Sequence, residues 1–187
     1  MKSDNGKGYN IQEIKLEELS RGMLGISPKY GACLAEAASF CLEDQNHSSG
    51  VKLEVDGDYN RCFCVFWISS YEQEQPGRCW ADAEVATELG AYGIAALIIP
   101  LLTAYSVVER SRKGTGFDYW LGEKGTSDRL FQNKARLEVS GIRNGDESVV
   151  SQRVRQKKRQ TNKSNGRLPA IIAVVEFSTP RSRVVNK

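Results

Sequence analysis

The chain has 187 residues, 40% apolar and 26% charged, with a formal net charge of +3, an ordinary globular composition that bounds it to one domain with at most an appended subdomain. Its longest apolar run, Ile94 to Leu102, contains Pro100 and falls far short of the roughly 20 residues that cross a bilayer, so no membrane span is expected. The N-terminus has no apolar stretch behind its charges, which removes the signature of a secretory signal and makes the cytoplasm the default compartment.

Residues 1 to 30 are polar, with a weak helical pattern in Ile11, Ile14, Leu16 and Leu19 and a turn at Ser27-Pro28. From Lys29 to Glu43 a dense run of alanine, cysteine and other apolar residues predicts a closely packed helix. Val51, Leu53 and Val55 then alternate with charged residues, and Cys62 to Trp67 forms a second alternating run. The pair predicts a β-hairpin that turns at Asp56-Gly57, a dipeptide suited to positive φ. Ser70 to Gly77 reads as a loop and separates an N-terminal subdomain, residues 1–75, from the remainder, residues 76–187, although the two could share one core.

Trp80 to Leu102 predicts a helix, with Val85, Leu89, Tyr92, Ala96 and Ile99 three or four apart. Asp82, Glu84 and Glu88 sit toward its start, where the helix dipole favours acids. Gly90 and Gly93 suggest close approach of another backbone, and Pro100 marks its approximate end. Tyr105 to Val108 and Phe117 to Leu121 predict a hairpin about the basic turn Ser111 to Gly116. After a polar interval with Gly122, Gly125 and Asp128, Ala135 to Ile142 predicts a third strand. Glu147 to Asn162 predicts a basic, glutamine-rich helix, and Leu168 to Phe177, with its apolar Ile-Ile-Ala-Val-Val, a buried strand.

Five cysteines, an odd number with no CxxC pair, argue for reduced thiols acting as small apolar residues. With a single histidine, His47, a zinc site lacks ligands, and neither a Ser-His-Asp triad nor a Cys-His pair is supported. Gly114-Thr115-Gly116 lacks the Walker lysine pattern and reads as a hairpin connection. Charge is uneven: residues 151–187 carry ten Lys or Arg against one acid, whereas the first 150 residues carry 16 against 22. Such clustering is a footprint for a polyanion, or a solvated basic helix and tail.

The order helix, three strands, helix, strand, together with Arg110-Ser-Arg-Lys-Gly-Thr-Gly-Phe-Asp118-Tyr-Trp-Leu and Ala135-Arg-Leu-Glu138-Val-Ser-Gly-Ile, resembles the catalytic core of the PD-(D/E)XK nuclease superfamily. The likeness spans roughly residues 80–178. It implies an α/β fold with a restriction-endonuclease-like core (helix, three-strand meander, helix, strand; mixed sheet), to which an N-terminal helix and β-hairpin are added. It implies magnesium, with manganese as a substitute, held by Asp118 and Glu138 with Glu88 as the additional acid that many members supply. Hard divalent cations favour oxygen ligands, and phosphodiester hydrolysis needs charge neutralisation and an activated water.

The family has lysine two residues after the strand glutamate, where this chain has Ser140. The missing cation could come from Lys134, which shares strand parity with Glu138, from Lys113 in the glycine turn, or from Lys157 or Lys158 on the later helix. Gln152 resembles a polar residue that some members bring to the site. Each residue also has a structural reading: Asp118 as a turn residue, Glu138 as the partner of Arg136, and Glu88 as an exposed helix acid.

The function so implied is magnesium-dependent DNA hydrolysis by a small prokaryotic, mobile-element or defence nuclease. Arg112, Lys113, Arg153, Lys157, Lys158 and Arg159 would hold the backbone, RNA remains open as a substrate, and a second copy or partner subunit is possible. Ser140 supports the alternative, a catalytically inactive subunit of the same fold that binds nucleic acid or protein. A third reading makes the N-terminal helix and hairpin a partner interface.

Overall fold

The computed structural model describes residues 11–69, 74–124, 134–164 and 168–187. The first ten residues, residues 70–73, the part of the polar interval holding Gly125 and Asp128, and residues 165–167 lie outside that description.

Strand β1 (Gln12–Lys15), helix α1 (Pro28–Asp44), strands β2 (Val51–Gly57) and β3 (Arg61–Phe66), helices α2 (Glu74–Cys79) and α3 (Ala83–Leu102), strands β4 (Tyr105–Arg110), β5 (Tyr119–Glu123) and β6 (Ala135–Ile142), helix α4 (Glu147–Gln160) and strands β7 (Ala170–Glu176) and β8 (Arg181–Asn186) make an α/β fold. The eight strands form one mixed sheet in the order β1-β3-β2-β8-β7-β6-β5-β4. β4, β5 and β6 run as an antiparallel meander, and β7 returns parallel to β6 after α4. That parallel return requires a crossover, which the 14-residue α4 supplies.

Polar side chains set the helix starts. Ser27 caps α1 by accepting from the Tyr30 N–H, and Pro28 occupies its first turn. Asp82 accepts from the Glu84 and Val85 N–H groups at 3.0 and 3.1 Å, and Asp146 does the same for Ser148 and Val149 at 2.9 and 3.0 Å. Strand alternation then divides the interior between two faces. Leu137 and Val139 of β6 and Ile171, Ala173 and Val175 of β7 join α1 and α3 in the larger cluster. Ile172 and Val174 pack with Val150 and Val154 of α4 on the opposite face.

Glycines permit the closest contacts between these layers. A Cβ on Gly93 would stand 2.9 Å from the Leu34 carbonyl oxygen, and one on Gly141 would stand 2.3 Å from that of Thr87. α1 and β6 therefore approach α3 at distances that no larger residue allows. α3 is long and apolar enough to cross a membrane by length and composition, but it is mostly buried between α1 and the sheet.

Three features differ from the sequence reading. Residues 12–15 pair parallel with β3 instead of starting a helix, and residues 16–21 make a 3-10 turn that buries Leu16 and Leu19. Residues 74–77, read as the end of a loop, belong to helix α2. Arg181 to Asn186 forms β8 between β2 and β7, so the hairpin is continuous with the rest of the sheet and its Leu53, Val55, Phe63 and Val65 belong to the larger cluster. The join is ionic as well. Arg183 holds Asp56 through two bonds of 2.6 Å and also meets Glu147, while Arg181 bonds Glu147 at 2.9 Å. Part of the basic excess near residue 180 is thus neutralised internally and is not a free tail.

Candidate functional site

β5 and β6 are paired only over Tyr119–Leu137, Trp120–Arg136 and Leu121–Ala135. From Glu138 onward, β6 keeps β7 on one side, and the strands part on the other. Asp118 stands at this fork immediately before β5, its N–H bonded to the Leu137 carbonyl at 2.9 Å. Its Oδ2 accepts the Val139 N–H at 2.8 Å, which satisfies a backbone donor that the parted strand would leave orphaned. Glu138 is buried at the same fork.

Two helices close over the fork from opposite faces. Tyr92 of α3 points its hydroxyl at Glu88 Oε1, 2.6 Å away, and at Asp118 Oδ1, 2.9 Å away. A phenol has one proton to donate, so two carboxylate oxygens compete for it. Burial, reinforced by the Asp118 charge, holds the phenol protonated well above its usual range. From α4, the Lys157 ammonium donates to Glu138 Oε1 at 2.5 Å, in a pair with side chains 19% and 6% exposed. Burial pushes the Glu138 carboxyl up to about 7 and the neighbouring Asp118 charge adds to the rise, while Lys157 opposes it.

Ser140, at the position where the resemblance implies lysine, accepts a hydrogen bond from Arg153 Nη1 at 2.7 Å, and the same nitrogen reaches the Gly141 carbonyl at 3.2 Å. A guanidinium from α4 therefore lies over the serine. Arg153, Lys157 and Gln160 follow one another at spacings of four and three along α4, which puts all three on the helix face toward the cleft.

Open space runs to either side of this centre. One cleft, of about 590 Å³, follows the free edge of β6 past Ser140 and Gly141 to Asn144. The other, of about 530 Å³, leads to the β4–β5 turn and is bordered by Arg112 and Lys113. Both include Glu88, Tyr92, Asp118 and Lys157. Arg112 and Lys113 are exposed.

The structure thus brings together Asp118, Glu138, Ser140, Lys157 and Arg153, and it sets Glu88 on the wall with Tyr92 between it and Asp118. Lys134 lies just before β6, about 13 Å along the strand from Glu138 at the usual rise, and does not line either cleft. Gln152 is exposed on α4 away from both clefts, as is Arg159, and Lys158 is likewise outside them. Arg136 donates to the Thr161 and Leu168 carbonyls, so Lys157 is the cation at Glu138. In sequence Tyr92 fits the apolar period of a core helix, and the signal of its polar role is a hydroxyl on that face four residues after Glu88.

The five cysteines are unpaired thiols. His47 sits away from the cleft with Nε2 at 3.0 and 3.1 Å from the Phe177 and Ser178 carbonyls. Since both partners only accept, Nε2 carries the proton and the ring serves as a structural bridge. Among the described residues, no three His, Cys, Asp or Glu side chains converge as a metal-holding group; the carboxylates at the fork are the Asp118–Glu138 pair. Comparison with family models, curated proteins and solved structures finds no match to this chain, so its functional reading rests on the residues at the fork.

Proposed function

We propose that the chain is a metal-dependent phosphodiesterase acting on DNA, with a restriction-endonuclease-like core formed by α3, the β4–β5–β6 meander, α4 and β7. The observation that carries this reading is the pairing of two acids, Asp118 and Glu138, where β5 and β6 part, with the lysine of a crossover helix on one of them. Helix, meander, helix and a parallel fourth strand occur in the order that the resemblance implies.

The donor set suits a small hard cation. Magnesium is commonly held by one or two carboxylates, with water and substrate phosphate completing the shell, so a third protein acid is not required. Asp118 and Glu138 would hold it, and Glu88 would act through Tyr92. A glutamate whose carboxyl is raised by burial and then by a neighbouring aspartate is an electrostatic arrangement that a divalent cation relieves. When bound, the ion would supply charge neutralisation at the phosphate and a more acidic water.

The protein side chains have separable tasks. Lys157 reaches the fork from α4 and is the candidate to orient the attacking water, the task that the resemblance assigns to a lysine at the Ser140 position. Arg153, anchored on Ser140 and Gly141, can meet the phosphate oxygens through its remaining N–H groups. Arg112 and Lys113 at the far end of the cleft would position the backbone without reading sequence. Manganese would replace magnesium at the same oxygen donors.

The experiment is cleavage of plasmid and single-stranded DNA with magnesium, manganese or EDTA, by the native chain and by Asp118→Ala and Glu138→Ala. Metal-dependent cutting that both substitutions abolish is the expected result. Binding without cleavage in every condition would reject catalysis and favour the inactive nucleic-acid-binding subunit, the reading for which Ser140 speaks.

A further inference from the structure

Arg110, the last residue of β4, belongs to two spaces at once. It borders the cleft that leads from Asp118 to the glycine turn, and it also borders a second groove of about 620 Å³ between β4 and residues 21–28. Its guanidinium lies 5.7, 5.5 and 5.8 Å from the ring centres of Tyr30, Tyr92 and Tyr119 and donates to the Tyr30 hydroxyl at 2.5 Å. Among the described residues it makes no ion pair, and its side-chain hydrogen-bond partner is the Tyr30 hydroxyl. The rings therefore fix its position without neutralising its charge.

The second groove has the matching chemistry. Arg21 stands in its opposite wall, exposed and with no ion pair or side-chain hydrogen bond among the described residues, and Glu109 is the one acid in the lining. The wall is braced. Gly25 donates its N–H to the Val107 carbonyl at 3.2 Å, Met23 and Ile26 bridge each other, and a Cβ on Gly25 would lie 2.8 Å from the Glu109 nitrogen.

We infer that this groove is a second binding site, for the phosphodiester backbone of a nucleic-acid strand leaving the acidic fork, with Arg110 at the junction and Arg21 at the distal end. The inference rests on the nuclease reading for the direction of the strand. Backbone contacts by guanidinium groups fix register and lengthen the bound segment without selecting bases. The groove therefore gives a role to an arginine held among three tyrosine rings that, among the described residues, makes no ion pair.

The test uses the whole chain and a fluorescein-labelled DNA strand of about 30 nucleotides in EDTA, with anisotropy read across a salt series. Arg21→Ala is the informative variant, because Arg21 does not touch the fork. It is expected to weaken binding about three- to tenfold and to lower the salt slope by about one, the signature of one lost phosphate contact. Lys52→Ala, exposed on β2, is expected to bind as the native chain does. Arg110→Gln is expected to lose more than Arg21→Ala, with a thermal melt confirming that it folds.

Native affinity and slope in Arg21→Ala would overturn the proposal, as would an equal loss in Lys52→Ala or no binding by the native chain. Its failure is distinguishable from failure of the nuclease reading. Metal-dependent cleavage with Arg21 indifferent rejects the groove alone, whereas Arg21-dependent binding with no cleavage in any metal rejects catalysis alone.

Discussion

Replacing Glu138 by glutamine should stabilise the metal-free protein at neutral and alkaline pH while abolishing the proposed cleavage. The Glu138 carboxyl is raised from 4.5 to about 7 by burial and by Asp118, so ionising it in the folded state costs about 3 kcal/mol more than in the unfolded chain. Glutamine removes that cost, which is already net of the Lys157 pairing. Relaxation around the fork offsets part of it, so the net gain should be about 1–2 kcal/mol, or a melting temperature about 3–6 °C higher for a chain of this size. Below about 4.5, Glu138 is protonated in both folded and unfolded native chain, so the two proteins should melt alike. As pH rises through 4.5–7 the native chain alone acquires the charge penalty and the gap opens, reaching its full size above about 7. Magnesium should narrow the gap by stabilising the native chain, since a ligand that binds only the folded state raises its stability. Thermal melts from pH 4 to 8, with EDTA or magnesium, would decide it. A Glu138→Gln protein that melts at or below the native chain at pH 8 in EDTA, or a gap independent of pH, would show that the buried Glu138 charge carries no such penalty.

Lys157→Met should lower cleavage by at least about 100-fold if the α4 lysine orients the reacting water, as general acid–base and positioning groups commonly do, whereas Lys134→Met should leave the rate unchanged; single-turnover assays compare them. Gly141→Ala places a methyl group 2.3 Å from the Thr87 carbonyl oxygen, so it should destabilise the fold by about 1–3 kcal/mol and loosen the contact of α3 with β6, read as a lower urea midpoint.

Much of the architecture was legible because local pattern and final environment agree. Ala135 to Ile142 alternates in sequence and forms β6 over the same residues, whereas Asp56 and Gly57, expected as the hairpin turn, continue β2 beside Arg183 and Val184, and the chain bends at Asp58–Asn60 after Gly57 has taken φ +100°. β1 was not legible, since Gln-Glu-Ile-Lys has one buried side chain and is a strand because β3 lies beside it. β8 was hidden by its arginines. Arg-Ser-Arg-Val-Val reads as a basic tail until Asp56 and Glu147, remote in sequence, are brought beside Arg181 and Arg183. At the site, the carboxylate positions could be read from the order of elements, but the choice of Lys157 over Lys134 could not, because helix phase and strand departure at the fork decide which ammonium arrives. Tyr92 was concealed by the periodicity that places it.

The ionic joint between β2 and β8 links Asp56 and Arg183 across 127 positions. The hairpin side of the sheet therefore gains its lateral neighbour only when a segment far along the chain has been positioned on β7. Closing so long a loop is an entropic cost met before its contacts repay it. Formation of the first three strands should consequently trail assembly of β4 to β7, and until β8 arrives β2 would present an open edge to which another chain could add.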